Sequence, residues 1–241
     1  MSVLRLAELI RERQPCVVLT GAGVSTESGI PDFRSPEGIW ARYDPMEYAS
    51  IDAFLADPVK VWDFYARRLD VLVAAEPNPA HAALARLEDG GWVSAVVTQN
   101  IDRLHERAGS RTVIEVHGSI RTSSCLSCYT RVPFDEVVRL LEGAAAPPCP
   151  TCGRILKPDV VMFGEPMPRA VTERAYELAR GAALMLVVGS SLEVWPVAGL
   201  PLEAAAFAVV NRGPTAQDAE AELKIDAPAG ETLAAVVELL S

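Results

Sequence analysis

Basic residues are scarce and scattered in this chain. Lysine and arginine together number 22 against 32 aspartates and glutamates, a formal charge of −10, and only Lys60, Lys157 and Lys224 are lysines. With no Lys/Arg run to track a phosphate backbone or an anionic bilayer, neither nucleic acid nor a membrane surface is an expected partner, and a cationic protein tail is more welcome. Also missing is any stretch of the ~20 apolar residues that a bilayer span needs. Met1 to Gln14 alternates charge with leucine and isoleucine where a secretory leader would carry an apolar core, so the chain reads as cytoplasmic. Histidines number only three. What is present in quantity is apolar content, 50% of 241 residues, enough to bury a full core as one large domain or as one domain with an insert. Oligomeric state leaves no readable trace, and a monomer is compatible with the chain.

The densest chemistry lies in Thr20 to Trp40, TGAGVSTESGIPDFRSPEGIW, directly after the apolar run Cys16-Val17-Val18-Leu19. A buried strand ending in a glycine-rich turn brings bare backbone N–H groups close to a ligand, which is how a pyrophosphate is held. Gly21 and Gly23 fit the first two glycines of the dinucleotide fingerprint G-x-G-x-x-G, but the third position is Thr26, and no acidic residue ends a second strand about 20 residues on. Pro31, Asp32, Phe33 and Arg34 follow, a rigid turn, a carboxylate, an aromatic face and a guanidinium, as in a loop built to close over a cofactor. Ordinary turn chemistry is the alternative for the glycines alone.

The cysteines give the strongest purely physical signal. Cys125 and Cys128, a gap of twenty residues, then Cys149 and Cys152 match a four-thiolate zinc pattern, with Pro150 and Gly153 supplying a tight turn. Four thiolates leave no open coordination position, so the metal is expected to be structural. A pair of disulfides is the alternative, and nothing directs the chain to an oxidising compartment. Cys16 reads as a buried apolar residue.

Elsewhere, hydrophobic spacing predicts a helix over Val3 to Arg13, helical segments over Pro45 to Ala75 with Asp57-Pro58 as cap and first-turn proline, and a capped helix over Asn78 to Leu87. Strands are expected at Trp92 to Thr98, Val113 to Val116, Leu184 to Val188 and Phe207 to Val210, and a last helix near Glu231 to Leu240. Polar residues just past such strands, Gln99-Asn100-Ile101-Asp102 and Gly189-Ser190-Ser191, belong in a ligand crevice by the topology rule for open α/β sheets; capping of a helix that begins at Asp102 is the alternative for the first group. Lys157 to Glu165 reads as an extended strand whose exposed edge could capture a peptide. His117, at a strand end beside Gly118, is placed like a general base, although a lone histidine is often structural. His105, inside RLHER, reads as structural.

Taken together, GAGVSTESGIPDFR, TQNIDRLHERAG, VIEVHGS, two CxxC pairs, VMFGE and VVGSSLEVWP, in that order and over nearly the whole chain, resemble the sirtuins, the NAD-consuming protein-lysine deacylases. The resemblance implies an α/β fold, a Rossmann-like mainly parallel sheet with a small zinc-binding module and a helical insert. The single catalytic domain, 1–241, would divide into a large part at 1–44, 76–119 and 156–241, an insert at 45–75 and the zinc module at 120–155. NAD would be consumed as co-substrate. Its implied contacts are Gly21, Ala22, Gly23, Ser25, Asp32, Phe33, Arg34, Trp40, Gln99, Asn100, Ile101, Asp102, Gly189, Ser190, Ser191, Asn211 and Ala229. Of these, Asn100 and Asp102 would form the nicotinamide pocket, and Phe33 would shield C1′ of the ribose. His117 would be the base and zinc would stay structural. The partners implied are acyl-lysine proteins or peptides, with Val161, Phe163, Gly164, Glu165 and Val194 along the substrate.

The implied reaction begins with attack of the acyl oxygen on C1′, which expels nicotinamide and leaves an alkylimidate. His117 then takes a proton from the ribose hydroxyls, the 2′ oxygen attacks the imidate carbon, and water releases lysine and 2′-O-acyl-ADP-ribose. In one branch of the family a Tyr-x-x-Arg twelve residues before Pro-Asn holds a succinyl or malonyl carboxylate. Tyr65 and Arg68 stand at that distance from Pro77-Asn78, whereas Thr26 and Asp32 resemble other branches. A partly buried tyrosine and a solvated arginine are the plain alternative. Protein mono-ADP-ribosyl transfer through the same pocket, and a non-catalytic NAD-dependent reader of acyl-lysine, are the rival functions. The broken fingerprint leaves an NAD-linked dehydrogenase behind both.

Overall fold

The structure, a computed structural model, describes residues 2–241. Helix α1 (Ser2–Glu12) leads to strand β1 (Cys16–Thr20), and helices α2 (Pro45–Tyr48), α3 (Ile51–Ala56) and α4 (Pro58–Ala74) fill the stretch before α5 (Pro79–Asp89). Strand β2 (Ala95–Thr98), helix α6 (Leu104–Arg107) and strand β3 (Val113–Glu115) follow. Then come β4 (Gly118–Cys125), β5 (Arg131–Pro133), α7 (Phe134–Glu142) and β6 (Leu156–Val160). After these lie α8 (Arg169–Gly181), β7 (Leu184–Val188), α9 (Leu200–Glu203), β8 (Phe207–Val210), β9 (Leu223–Ile225) and α10 (Ala229–Leu240). Among the described residues no helix is long and apolar enough to cross a membrane.

The chain divides into two compact units, one of Met1–Asp32, Ala75–Val116 and Pro168–Ser241, the other of Phe33–Ala74 and His117–Met167. The first is built on six parallel strands in the order β3-β2-β1-β7-β8-β9, a Rossmann-like sheet whose strand order reverses between β1 and β7. β1, β2, β7 and β8 are buried along their whole length, as apolar strands covered on both faces should be. Leu6, Leu9 and Ile10 of α1, Leu84 and Leu87 of α5, and Leu233 and Val236 of α10 pack into the core of this unit. Thr20 lies level with Thr98 and with Val188, which in turn lies level with Val210. The residues that follow these strands therefore emerge at one edge of the sheet.

The second unit carries the antiparallel sheet β5-β4-β6. Its helices α2, α3 and α4 begin where polar side chains satisfy the orphan N–H groups: Asp44 accepts from Met46, Ser50 from Ala53 and Asp57 from Lys60, with Pro45 and Pro58 at first-turn positions. Trp62 of α4 is buried and donates its Nε1–H to the Leu156 carbonyl at 2.7 Å. Around it Phe54, Val132, Val137, Met162, Cys125 and Cys149 close a separate core.

Several expectations shift. Residues 117–119 and 156–167 fall in the second unit rather than in the large part, because β4 and β6 pair with each other; residues 33–44 fall there too. The strand expected from Trp92 starts at Ala95, since the N–H groups of Trp92 and Val93 both return to the Leu87 carbonyl. The helix expected from Asp102 starts at Leu104, whose N–H donates to the Asp102 carboxylate. The last helix begins two residues earlier than expected, at Ala229. Extended pairing from Lys157 stops at Val160, and the N–H groups of Val161, Met162 and Phe163 donate to the His117 carbonyl, the Glu165 carboxylate and the Ala49 carbonyl. Those three donors are thus committed, and a peptide could not use them to add a strand there.

Candidate functional site

Glycine governs the loops at the sheet edge, by a different physical route from the one expected. The Gly21 N–H donates to the Val188 carbonyl at 3.2 Å and the Gly23 N–H to the Gly189 carbonyl at 2.8 Å, so neither is left for a phosphate. What requires glycine is close approach. A Cβ on Gly23 would stand 2.9 Å from the Gly189 Cα, and one on Gly189, which has φ +62°, would stand 2.2 Å from the Val24 nitrogen. The loop after β1 lies directly on the loop after β7, and Ala22 to Ser28 continues as a 3-10 turn.

That turn carries Ser25, the centre of a buried polar cluster. Its hydroxyl donates to Asp102 Oδ2 at 2.7 Å and accepts from Asn100 Nδ2 at 3.0 Å. Asp102 Oδ1 holds the Leu104 N–H, so both carboxylate oxygens are fixed. One Nδ2–H of Asn100 is given to Ser25, which fixes the amide and leaves Oδ1 as an acceptor suited to a carboxamide N–H, beside the second Nδ2–H. His81 stands behind. Its Nδ1 accepts the Asn78 N–H in a capping box at the start of α5, which leaves Nε2–H facing Ser25 Oγ at 3.5 Å. Burial pushes His81 down to about 4, against the opposing pull of Asp102 and Glu27.

A second chain of contacts supports the first. The Thr20 hydroxyl donates to Thr98 Oγ1 at 2.8 Å, Thr98 Oγ1 accepts the Asn100 N–H at 3.1 Å, and His105 Nε2 meets Thr20 Oγ1 at 2.9 Å. With the Thr20 proton given to Thr98, His105 is the donor through Nε2–H, and its Nδ1 is a buried atom without a partner. Burial, and then the neighbouring His81, push His105 down to about 3. Both rings are neutral scaffolding, packed edge to face at 4.8 Å.

Along the same edge, Gln99 Nε2 donates to Ser190 Oγ at 2.9 Å. Ser191 accepts the Ala216 N–H through its carbonyl, while Ile101 and Asp32 are half-buried. Asn211 follows β8 and turns its Nδ2 onto the carbonyls of Arg212 and Gly213. Ala229 opens α10, and the next N–H, that of Gly230, is received by the Glu27 carboxylate at 3.0 Å. Val194, also in this unit, is half-buried, and the neighbouring Trp195 is 67% exposed.

In the second unit an aromatic cluster gathers several expected residues. Phe33 stacks on Trp40 at 5.0 Å, Trp40 on Phe64 at 5.9 Å, and Phe163 meets Trp40 at 6.4 Å. Tyr65 packs against Phe64 and Trp62. Arg68 donates to the Phe64 carbonyl and lays its guanidinium over the rings of Phe64 and Tyr43, at 3.8 and 4.8 Å. Burial raises the Tyr65 phenol, with a smaller contribution from Glu165, and lowers Arg68. Arg34 is exposed. His117 is half-buried, and its carbonyl receives the Val161 N–H at 2.8 Å. Gly164 takes φ +84°, and Glu165 is bound to Lys157 and to the Met162 N–H, so its carboxylate is already occupied within the unit.

The four cysteines expected as metal ligands come together. All four Sγ atoms lie within 4.8 Å of one another, with Cys125 to Cys152 and Cys128 to Cys149 at 3.5 Å. A tetrahedral zinc with Zn–S near 2.3 Å sets its sulfurs about 3.8 Å apart, so the set fits the ion. The N–H groups of Cys128 and Ser127 hold the Cys125 thiol below its ordinary value, whereas Cys152, against the pull of the Arg154 N–H, is pushed up to about 12 by the neighbouring thiols Cys128 and Cys125. Cys16 lies apart in β1, where burial pushes it up to about 12.

The supporting residues Thr20, Thr98, Asn78 and Lys157 were not singled out from sequence for this work. Only Asn78 had a local signal, the Asn-x-x-His spacing of a capping box; the others act through contacts between residues far apart in the chain.

The Sir2 family profile matches residues 21–196. A protein of Archaeoglobus fulgidus named NAD-dependent protein deacylase 2 is 46% identical, with 98% of this chain and 95% of that protein covered. The NAD-dependent protein deacetylase of Caldivirga maquilingensis is also 46% identical, over 95% of this chain and 90% of its own length. Among solved structures, a Sir2 protein with a deacetylated peptide and 3′-O-acetyl ADP-ribose superposes with a TM-score of 0.95 at 40% identity, covering 99% of this chain and 98% of that one. Another, Sir2Tm bound to a propionylated peptide, gives 0.91 at 37%, with the same coverage of both chains.

Proposed function

The chain belongs to the Sir2 family, and from that premise we infer that it is an NAD-dependent protein-lysine deacylase, moving an acyl group from a lysine side chain to ADP-ribose with release of nicotinamide. The observation that carries the reading is the Ser25 hub. One buried hydroxyl fixes Asn100 and Asp102 together at the carboxyl edge of a parallel sheet, where a carboxamide can be held by matched polar atoms. Asn100 and Asp102 would hold the nicotinamide end. Gln99, Ser190 and Ser191 would serve its ribose and phosphates, and Asn211 and Ala229 the adenosine. His117 would take the proton from the ribose hydroxyl, and Phe33, stacked on Trp40, would keep water from C1′. Val161, Phe163, Gly164 and Val194 would line the acyl-lysine. The four cysteines would hold a structural zinc, which would supply folding energy and no chemistry. The charge of −10 favours a cationic protein segment over nucleic acid as substrate.

Preference for a dicarboxylic acyl group rests on Tyr65 and Arg68, neighbours on one face of α4. To receive a carboxylate, Arg68 would exchange the Phe64 carbonyl for it and keep its place over the rings. The test compares acetyl-lysine and succinyl-lysine in the same peptide, using wild type, His117→Ala and Arg68→Met, with mass spectrometry following free lysine and acyl-ADP-ribose. Loss of both activities in His117→Ala and loss of only the succinyl activity in Arg68→Met are expected. Acetyl removal indifferent to Arg68 would remove the acidic preference. ADP-ribose attached to protein, with no deacylated peptide, would make the chain a transferase.

A further inference from the structure

Among the three lysines of the chain, the side chain of Lys157 is only 8% exposed. Its Nζ donates to the Pro158 carbonyl at 3.1 Å and the Val160 carbonyl at 2.8 Å, and it pairs with Glu165 Oε2 at 2.8 Å. The same carboxylate oxygen accepts the Met162 N–H at 2.8 Å. One ammonium and one carboxylate thus tie down both sides of the turn from Val160 to Gly164. The flanking backbone is equally committed: Val161 donates to the His117 carbonyl at 2.8 Å, and Phe163 exchanges N–H and C=O bonds with Ala49 and Ile51 at 2.9 Å each.

An ion pair with one buried and one half-buried partner is a poor way to gain stability, because desolvation offsets most of its Coulomb energy and apolar residues of similar volume serve as well. What it does impose is a single geometry, since each charge must keep all its partners. We propose that Lys157 and Glu165 are positioning residues for deacylation: the pair locks Val160 to Phe163 in the conformation that presents Val161 and Phe163 to the acyl-lysine. Through the Val161 N–H bond to its carbonyl, the same pair fixes the backbone of His117. Glu165 acts through this loop and not on the substrate. The proposal rests on the deacylase reading.

The test is steady-state kinetics on wild type, Lys157→Met and Glu165→Gln, varying acetyl-lysine peptide and NAD in turn, with NAD affinity measured separately by calorimetry. Lys157→Met strands a half-buried carboxylate and two carbonyls, so its peptide KM should rise about tenfold or more and its kcat should fall, whereas NAD affinity should stay within about twofold. Glu165→Gln keeps an oxygen for the Met162 N–H and loses only the charge; about threefold in peptide KM is expected, again with NAD affinity unchanged. An unchanged peptide KM in both variants overturns the proposal, as does a parallel fall in peptide and NAD affinity, the mark of general loosening. If Lys157→Met does not fold, Glu165→Gln decides by the same criteria. Wild type that releases no lysine overturns the deacylase reading itself, a result separable from an active wild type with indifferent variants.

Discussion

The two buried histidines of the polar cluster are kept neutral by their surroundings, and this has a sign that can be measured. An unfolded histidine titrates near 6.5, whereas His81 and His105 are pushed down to about 4 and about 3. As pH falls below 6.5 the unfolded chain binds these protons first. The stability that the pair contributes is therefore complete above about pH 6.5 and is lost progressively toward the folded values, at up to about 1.4 kcal/mol per pH unit per histidine. Urea unfolding between about pH 7 and about pH 5 should show this slope, and His105→Gln should reduce it by about one proton's worth. A slope unaltered by the substitution would mean that His105 is already charged in the fold. At this scale the resemblance named Ser25, Asn100 and Asp102, but residue types alone could not reveal Thr20 and Thr98. A threonine at a strand end looks like any other until parallel pairing brings two together.

Between elements, the decisive contact is the crossing of the β1 and β7 loops. Gly189 and Gly213 both have positive φ, +62° and +75°, but a Cβ on Gly213 would meet nothing within 4 Å. Gly213→Ala should therefore cost only backbone strain, about 1 kcal/mol, whereas Gly189→Ala adds collision with Val24 and Gly23 and should cost about 3 kcal/mol or more. Thermal unfolding of the two variants separates conformational strain from steric exclusion. The glycines were legible in the sequence; their purpose was not, because N–H groups that look available in a loop can be claimed by a neighbouring strand end. Helix α8 escaped notice for a related reason. Its buried residues are Ala175 and Ala179, so it carries no stripe of large apolar side chains. Strands β5 and β9, three residues each, are too short to show a period of two. By contrast β7 and β8 were placed to the residue, since four or five consecutive apolar residues between turns leave few alternatives.

At the scale of the molecule there are two units with separate cores, and the four clustered cysteines belong to only one of them. Cys125 and Cys149 pack beside Trp62, Phe54 and Leu156. Chelation should therefore loosen the second unit and change the Trp62 emission. Deacylation should cease, because His117 and Val161 lie in that unit. Zinc should restore both signals and magnesium neither, since four thiolates suit the softer ion. Emission and activity unmoved by complete zinc removal would count against a structural role. The central pairing of the first unit also bears on how the chain is made. Cys16 lies level with Leu184, so β1 cannot complete its place in the sheet until 168 further residues have been synthesised. The stretches of the second unit, Phe33–Ala74 and His117–Met167, are all made before Leu184. During translation the cysteine-bearing unit can thus assemble first, while β1 waits with an unpaired apolar edge, and the nascent chain should be most open to aggregation, and to chaperone capture, in that interval.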